Sequence, residues 1–131
     1  MRFHHIGIAT DDSDSLSMLL SNLLGITVCH EERFEELEIT FLALPDGYIE
    51  LLEPVEAGTV SRFLDRSGPG IHHLAFGVSD IEATIASARN LGITPIDTTP
   101  RQGAWGHRVA FLHPDDTGGM LIELVNESSV E

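Results

Sequence analysis

Lysine is absent from this chain: all seven basic residues are arginine, and they face 21 acidic ones for a formal net charge of −14. Such an imbalance argues against a nucleic-acid partner or an anionic membrane surface, because phosphates would be repelled. Cysteine is nearly absent too. The single Cys29 cannot form an internal disulfide, so nothing points to an oxidising compartment. No apolar run approaches the roughly 18 residues of a membrane span, and the opening Met-Arg-Phe-His-His enters a strand-like pattern without a signal-peptide apolar stretch. A cytoplasmic location is the expectation. The acidic excess has a bland reading, a well-solvated surface, and a sharper one, adaptation to a high-salt cytoplasm where screening relieves self-repulsion.

What is present suits one globular domain: 131 residues, 42% of them hydrophobic. Within it the chain reads twice. His4-His5-Ile6-Gly7-Ile8-Ala9 is answered by His72-His73-Leu74-Ala75-Phe76-Gly77. Each copy runs into helix N-cap residues, Asp11, Asp12 and Ser13 in one and Ser79 and Asp80 in the other. Helical spacing follows, with Leu16, Leu19, Leu20 and Leu23 matched by Ile81, Ile85, Ala88 and Leu91. Both helices end alike, Leu24-Gly25-Ile26-Thr27 against Leu91-Gly92-Ile93-Thr94, with a glycine suited to the left-handed stop. Extended stretches are then expected at 26–30, 37–44 and 48–53 in the first half, and at 93–97, 107–112 and 119–125 in the second. Asp46-Gly47 and the segment from Pro114 to Gly119 supply turns. Each half is thus strand–helix–three strands: one module over about 1–57, a linker with a short helix near Val60–Leu64 over about 58–70, and a second module over about 71–127. A lone module would leave one sheet face bare, so the two are expected to pair and to bring equivalent residues together at a cleft.

Those equivalent residues carry chemistry. Glu50 sits among Ile49, Leu51 and Leu52, and Glu123 between Ile122 and Leu124, where an unpartnered charge is costly to bury. Taken singly, a strand carboxylate usually points to water and a strand histidine is usually structural. Recurrence at matched positions changes that balance. Two imidazoles and two carboxylates make a mixed nitrogen–oxygen site suited to Zn, Co, Mn, Ni or Fe(II), with no thiolate. In each His-His pair only one member can face the cleft, and alternation does not say which.

The motifs that carry a family resemblance are His5-Ile6-Gly7-Ile8-Ala9, Ile49-Glu50-Leu51-Leu52-Glu53-Pro54 and Gly70-Ile71-His72-His73-Leu74-Ala75-Phe76. To these are added Val109-Ala110-Phe111-Leu112-His113-Pro114 and Thr117-Gly118-Gly119-Met120-Leu121-Ile122-Glu123-Leu124. The chain resembles the glyoxalase-like, vicinal-oxygen-chelate superfamily and, within it, the methylmalonyl-CoA epimerases, over residues 3 to about 127. The resemblance implies an α+β fold in which two tandem βαβββ modules form one curved, mostly antiparallel eight-stranded sheet around a metal-binding cleft. It implies that His5, Glu50, His73 and Glu123 hold a divalent ion, Co2+ first, with Zn2+, Mn2+ or Ni2+ as alternatives. His4 and His72 then lie behind the ligands or in the core. The implied reaction interconverts the (R) and (S) epimers of methylmalonyl-CoA by α-proton abstraction and a metal-stabilised enolate. Glu123 is the expected base as well as a ligand, and Glu38 is the candidate for the second base if its register turns it inward. A homodimer is expected, and an acyl-CoA is the expected partner.

The chain departs from that family's pattern at Trp105, in Gly103-Ala104-Trp105-Gly106 where Gly-Ala-His-Gly is usual, at Asp115 where a lysine is common, and at Leu19-Leu20 where aromatics are usual. These positions bear on contacts with CoA rather than on the metal. Trp105 is expected to pack or to line the acyl pocket, and Arg101 and Arg108 are candidate contacts for CoA phosphates. His30, His107 and His113 have no matched partner and are read as non-ligands. A glyoxalase I-type lyase would share the metal and the proton abstraction. An extradiol dioxygenase would leave Glu50 superfluous, and a non-catalytic binding protein of this fold would not need all four metal residues.

Overall fold

Both large helices begin where a carboxylate takes up a free backbone donor. In the computed structural model, which describes residues 1–127, Asp12 accepts from the Ser15 N–H at 3.0 Å and Asp80 from the Ala83 N–H at 3.0 Å. These caps open α1 (Ser13–Leu24) and α3 (Ile81–Asn90). The first follows β1 (Arg2–Ala9) and leads into β2 (Thr27–Phe34), β3 (Leu37–Leu44) and β4 (Gly47–Pro54). After α2 (Thr59–Ser67), the pattern repeats as β5 (Gly70–Val78), α3, β6 (Arg101–Gln102), β7 (Arg108–Leu112) and β8 (Ile122–Asn126). The strands make one eight-stranded sheet in the order β2-β3-β4-β1-β5-β8-β7-β6. The repeated βαβββ module read from the sequence is therefore the architecture.

By its contacts the described backbone divides into two units, His5–His72 and Met1–His4 together with the described residues from His73 on. In the first, β4 pairs in parallel with β1 and antiparallel with β3, which pairs antiparallel with β2. In the second, β8 pairs in parallel with β5 and antiparallel with β7, which pairs antiparallel with β6. α3 lays Ile81, Ile85 and Ala88 against Val78, Ala110, Leu112 and Leu124, a cluster of buried apolar side chains. On the other face of the same strands Ala75, Val109 and Val125 form a smaller buried group. α1 is different: Ser13 is its one buried residue, and Met18, Leu19, Leu23 and Leu24 are exposed. The helix that the spacing of Leu16, Leu19, Leu20 and Leu23 predicts thus forms, with Leu19 and Leu23 on its exposed side.

The second module also departs from expectation at 93–97, where an extended stretch was anticipated. Only an isolated bridge from Pro95 to Leu112 forms there, and the named strand is the two-residue β6 further on. Pro95 and Leu112 are bracketed by His113 N–H to Thr94 O at 2.9 Å and Ile96 N–H to Phe111 O at 2.8 Å. The Pro95 nitrogen therefore points away from β7, a position where proline is tolerated, and the pairing does not extend beyond this one bridge.

Candidate metal centre

Alternation along each strand sets which histidine of each pair shares a face with a glutamate. In the unit His5–His72, His5 is in register with Tyr48 and Gly7 with Glu50, so His5 and Glu50 share a face. The His5 Nε2 lies 3.1 Å from a Glu50 carboxylate oxygen, and both residues are buried. In the other unit Ala75 is in register with Glu123, which puts His73, two residues back, on the same face. Here the His73 Nε2 lies 3.1 Å from a Glu123 oxygen, again with both residues buried. A phenylalanine closes each pair edge-on: the Phe41 ring stands 5.8 Å from His5 and the Phe111 ring 5.6 Å from His73. Glu50 and Glu123 are held opposite small residues, Gly7 and Ala75, which leave room for a carboxylate at each position.

One ligand atom from each of His5, Glu50, His73 and Glu123 lies within 4.8 Å of all the others. Donors about 2.1 Å from a common ion sit roughly 3.0 Å apart at a right angle and about 4.2 Å apart across it, so a single ion fits this spacing. Charge leads to the same conclusion. Two buried carboxylates in such proximity repel each other, and neutral imidazoles do not offset that repulsion. A divalent cation balances two carboxylates, and two nitrogen and two oxygen donors are a set it accepts.

The remaining candidates separate cleanly. Glu38 is in register with Glu53, and Phe41 with Glu50, so Glu38 is on the opposite face from Glu50 and is exposed. Glu53 confirms the orientation, because its carboxylate accepts from the N–H and the hydroxyl of Ser13 at the start of α1, at 2.7 and 2.8 Å. The structure thus removes Glu38 from the site; Ile39, buried, takes the inward position on β3. Arg108 faces α3, where its Nη2 meets the Glu82 carboxylate at 2.6 Å and lowers that group's affinity for a proton. Arg101 instead stands over the Phe111 ring. Trp105 adopts a left-handed backbone, φ 60°, in the turn between β6 and β7, with its ring 6.0 Å from His107. Of the histidines read as non-ligands, His30 meets Glu32 at 2.7 Å, His107 packs against His4, and His113 accepts from the Asp115 N–H. His4 is buried beside Glu127, and His72 packs on Phe63.

Sequence reasoning missed Phe41, Phe111 and Asp97. The first two carried a signal, since Thr40-Phe41-Leu42 and Ala110-Phe111-Leu112 occupy matched places in the two modules. Asp97 carried none, because nothing in the local sequence says which strand it will clamp.

Residues 4–111 match the Glyoxalase/Bleomycin resistance protein/Dioxygenase superfamily. An ethylmalonyl-CoA/methylmalonyl-CoA epimerase of Cereibacter sphaeroides is 34% identical over 128 residues, spanning 94% of this chain and 96% of that protein. The chain belongs to the methylmalonyl-CoA epimerase family of that superfamily. Solved structures of the family superpose closely. A single-substitution variant of the Streptomyces coelicolor methylmalonyl-CoA epimerase, in complex with 2-nitronate-propionyl-CoA, has a TM-score of 0.94 at 36% identity and covers 100% of this chain and 97% of that one. A methylmalonyl-CoA epimerase in complex with methylmalonyl-CoA and NH4+ has a TM-score of 0.93 at 36% identity, covering 99% of this chain and 96% of that one.

Proposed function

We propose that this protein is an isomerase that interconverts the epimers of methylmalonyl-CoA, using a divalent ion, Co2+ first with Zn2+, Mn2+ or Ni2+ as alternatives, held by His5, Glu50, His73 and Glu123. The observation that carries the reading is the buried set of two imidazoles and two carboxylates in a chain of this family. When bound, the ion supplies positive charge that polarises a thioester carbonyl and makes the neighbouring C–H more acidic.

The chain's own groups do the rest. Glu123 takes the α proton onto its carboxylate oxygen, which is shielded from water and therefore poorly solvated as an anion. Glu50 is the second group, in place of Glu38, because it is the other carboxylate buried among the described residues. A proton removed by one carboxylate and returned by the other inverts the centre; return by the same one restores it. The Phe41 and Phe111 rings beside the two imidazoles keep water away from both pairs. A homodimer belongs to the same reading, with Met18, Leu19, Leu23 and Leu24 of α1 as apolar surface for it to cover.

The test is proton NMR in D2O with one stereoisomer of methylmalonyl-CoA. Deuterium enters the α carbon and stereochemical purity is lost; a chelator stops both, and Co2+ restores them. Absence of exchange from protein that carries its metal would move the substrate elsewhere, with a glyoxalase I-type adduct next in line.

A further inference from the structure

A chain of net charge −14 has to take up an acyl-CoA that is itself an anion. Building on the epimerase reading, we propose that Arg101 forms an anion-binding subsite beside the His73–Glu123 pair, where it takes a carboxylate or phosphate oxygen of the acyl-CoA, and that Asp97 is the residue that positions it.

The placement follows from register. Arg101 is in register with Val109 across β6 and β7, and Phe111 with Glu123 across β7 and β8. Residues in register share a face and alternate residues return to it, so Arg101, Val109, Phe111 and Glu123 lie on one face of the sheet. Side-chain contacts agree: the Arg101 guanidinium carbon is 5.5 Å from the centre of the Phe111 ring, and that ring is 5.6 Å from the imidazole of His73. A cation over an aromatic face is held there electrostatically.

One carboxylate fixes the arrangement. Asp97 accepts from the Arg101 Nε at 3.0 Å and from the Phe111 N–H at 2.9 Å, tying the guanidinium and the residue beneath it to a common anchor. The bond to Asp97 runs through Nε and not through the paired Nη donors, which among the described residues remain for a ligand, and the Arg101 side chain is 47% exposed. That fork matches two oxygens of a carboxylate or phosphate. Ordering the side chain before the ligand arrives lowers the entropy lost on binding. The tightness of the hairpin also contributes: a Cβ at Gly103 would lie 3.0 Å from a Val109 methyl, so glycine lets the turn close over Val109. Arg108, on the same hairpin, provides the contrast. It faces α3, and its guanidinium is already engaged by Glu82.

Calorimetric titration of the metal-loaded protein tests this without relying on turnover. The ligands are methylmalonyl-CoA and methylmalonyl-pantetheine, which keeps the acyl carboxylate and has no phosphate. Arg101→Gln is expected to raise Kd for methylmalonyl-CoA about tenfold or more, the usual scale for losing a charge-assisted bidentate contact, and Arg108→Gln less than about twofold. Persistence of the Arg101→Gln loss with the pantetheine thioester assigns the carboxylate; its disappearance assigns a phosphate. Asp97→Asn is expected to weaken binding in the wild-type background and to add nothing to Arg101→Gln, the non-additivity that positioning requires and a general loss of structure does not produce. An unchanged Kd in Arg101→Gln with both ligands overturns the proposal, as do equal losses in Arg101→Gln and Arg108→Gln, which would reduce the effect to net charge. Wild-type protein that binds without epimerising would end the epimerase reading while leaving the subsite standing.

Discussion

Glu50 and Glu123 are the carboxylates buried among the described residues, and each meets an imidazole nitrogen at 3.1 Å. Their candidacy was legible in the sequence because each recurs, flanked by apolar residues, at the same place in its module. Alternation left the choice between His4 and His5, or His72 and His73, open and only the family resemblance named one, since adjacent strand residues offer identical chemistry on opposite faces. Glu38 shows the same limit from the other side: one position along β3, at Ile39, would have faced the ligands. A two-carboxylate reaction makes the variants informative. Glu123→Gln is expected to slow inversion by about a hundredfold or more, with metal content, read by elemental analysis, within about twofold of wild type. Glu50→Gln is expected to wash deuterium into one epimer and to leave its configuration unchanged. Full inversion by either variant would remove that residue from proton transfer.

Among the elements, the helix caps were the easiest to read and the strands of the second module the hardest. Asp12 accepts from the Ser15 N–H and from its hydroxyl, and both bonds favour the charged form, holding its carboxyl below the ordinary 3.8. A carboxyl depressed in the folded state adds stability above its unfolded value, and that contribution is lost as pH falls through the folded one. Asp12→Ala is therefore expected to lower Tm by about 3 °C at neutral pH, with the gap to wild type closing as pH drops below 3.8. A gap that stays constant down to acid would mean that the charge is not what stabilises the helix start. The apolar pattern of 93–97, Ile93 and Ile96 around Pro95, reads as extended, yet its pairing stops at the single bridge from Pro95 to Leu112. α1 forms as its spacing predicts. Its leucines have helical spacing, yet Ser13 is what the helix buries and four of its apolar side chains remain in contact with solvent.

Across the whole molecule, charge is the dominant uncompensated quantity. Arg2, Arg33, Arg101 and Arg108 each pair with a carboxylate, but 21 acidic residues against seven basic ones leave most of the negative charge unopposed. Exposed pairs of this kind are worth little, and self-repulsion falls as salt shortens the Debye length from about 10 Å at 0.1 M to about 3 Å at 1 M. Tm is thus expected to rise as sodium chloride increases over that range, measured by calorimetry on metal-loaded protein. Maximal stability at low salt would end the reading of the acidic, lysine-free composition as a high-salt adaptation.

The sequence by itself determined the repeat, the βαβββ order of each module, the caps that start its helices and the residue types of a metal site, since these depend on local periodicity and on donor chemistry that recurs at matched positions. Tertiary structure put His5 and His73, the members of each pair that the family resemblance implied, on a face with Glu50 and Glu123, and it alone decided that Glu38 points away, that Arg101 and Arg108 part to opposite faces, and that Asp97 anchors one of them. Which face a strand residue takes turns on register, and a one-residue shift exchanges the two faces of a sheet while leaving composition and pattern untouched; the Asp97 contact turns on how the chain before β6 folds back onto Arg101.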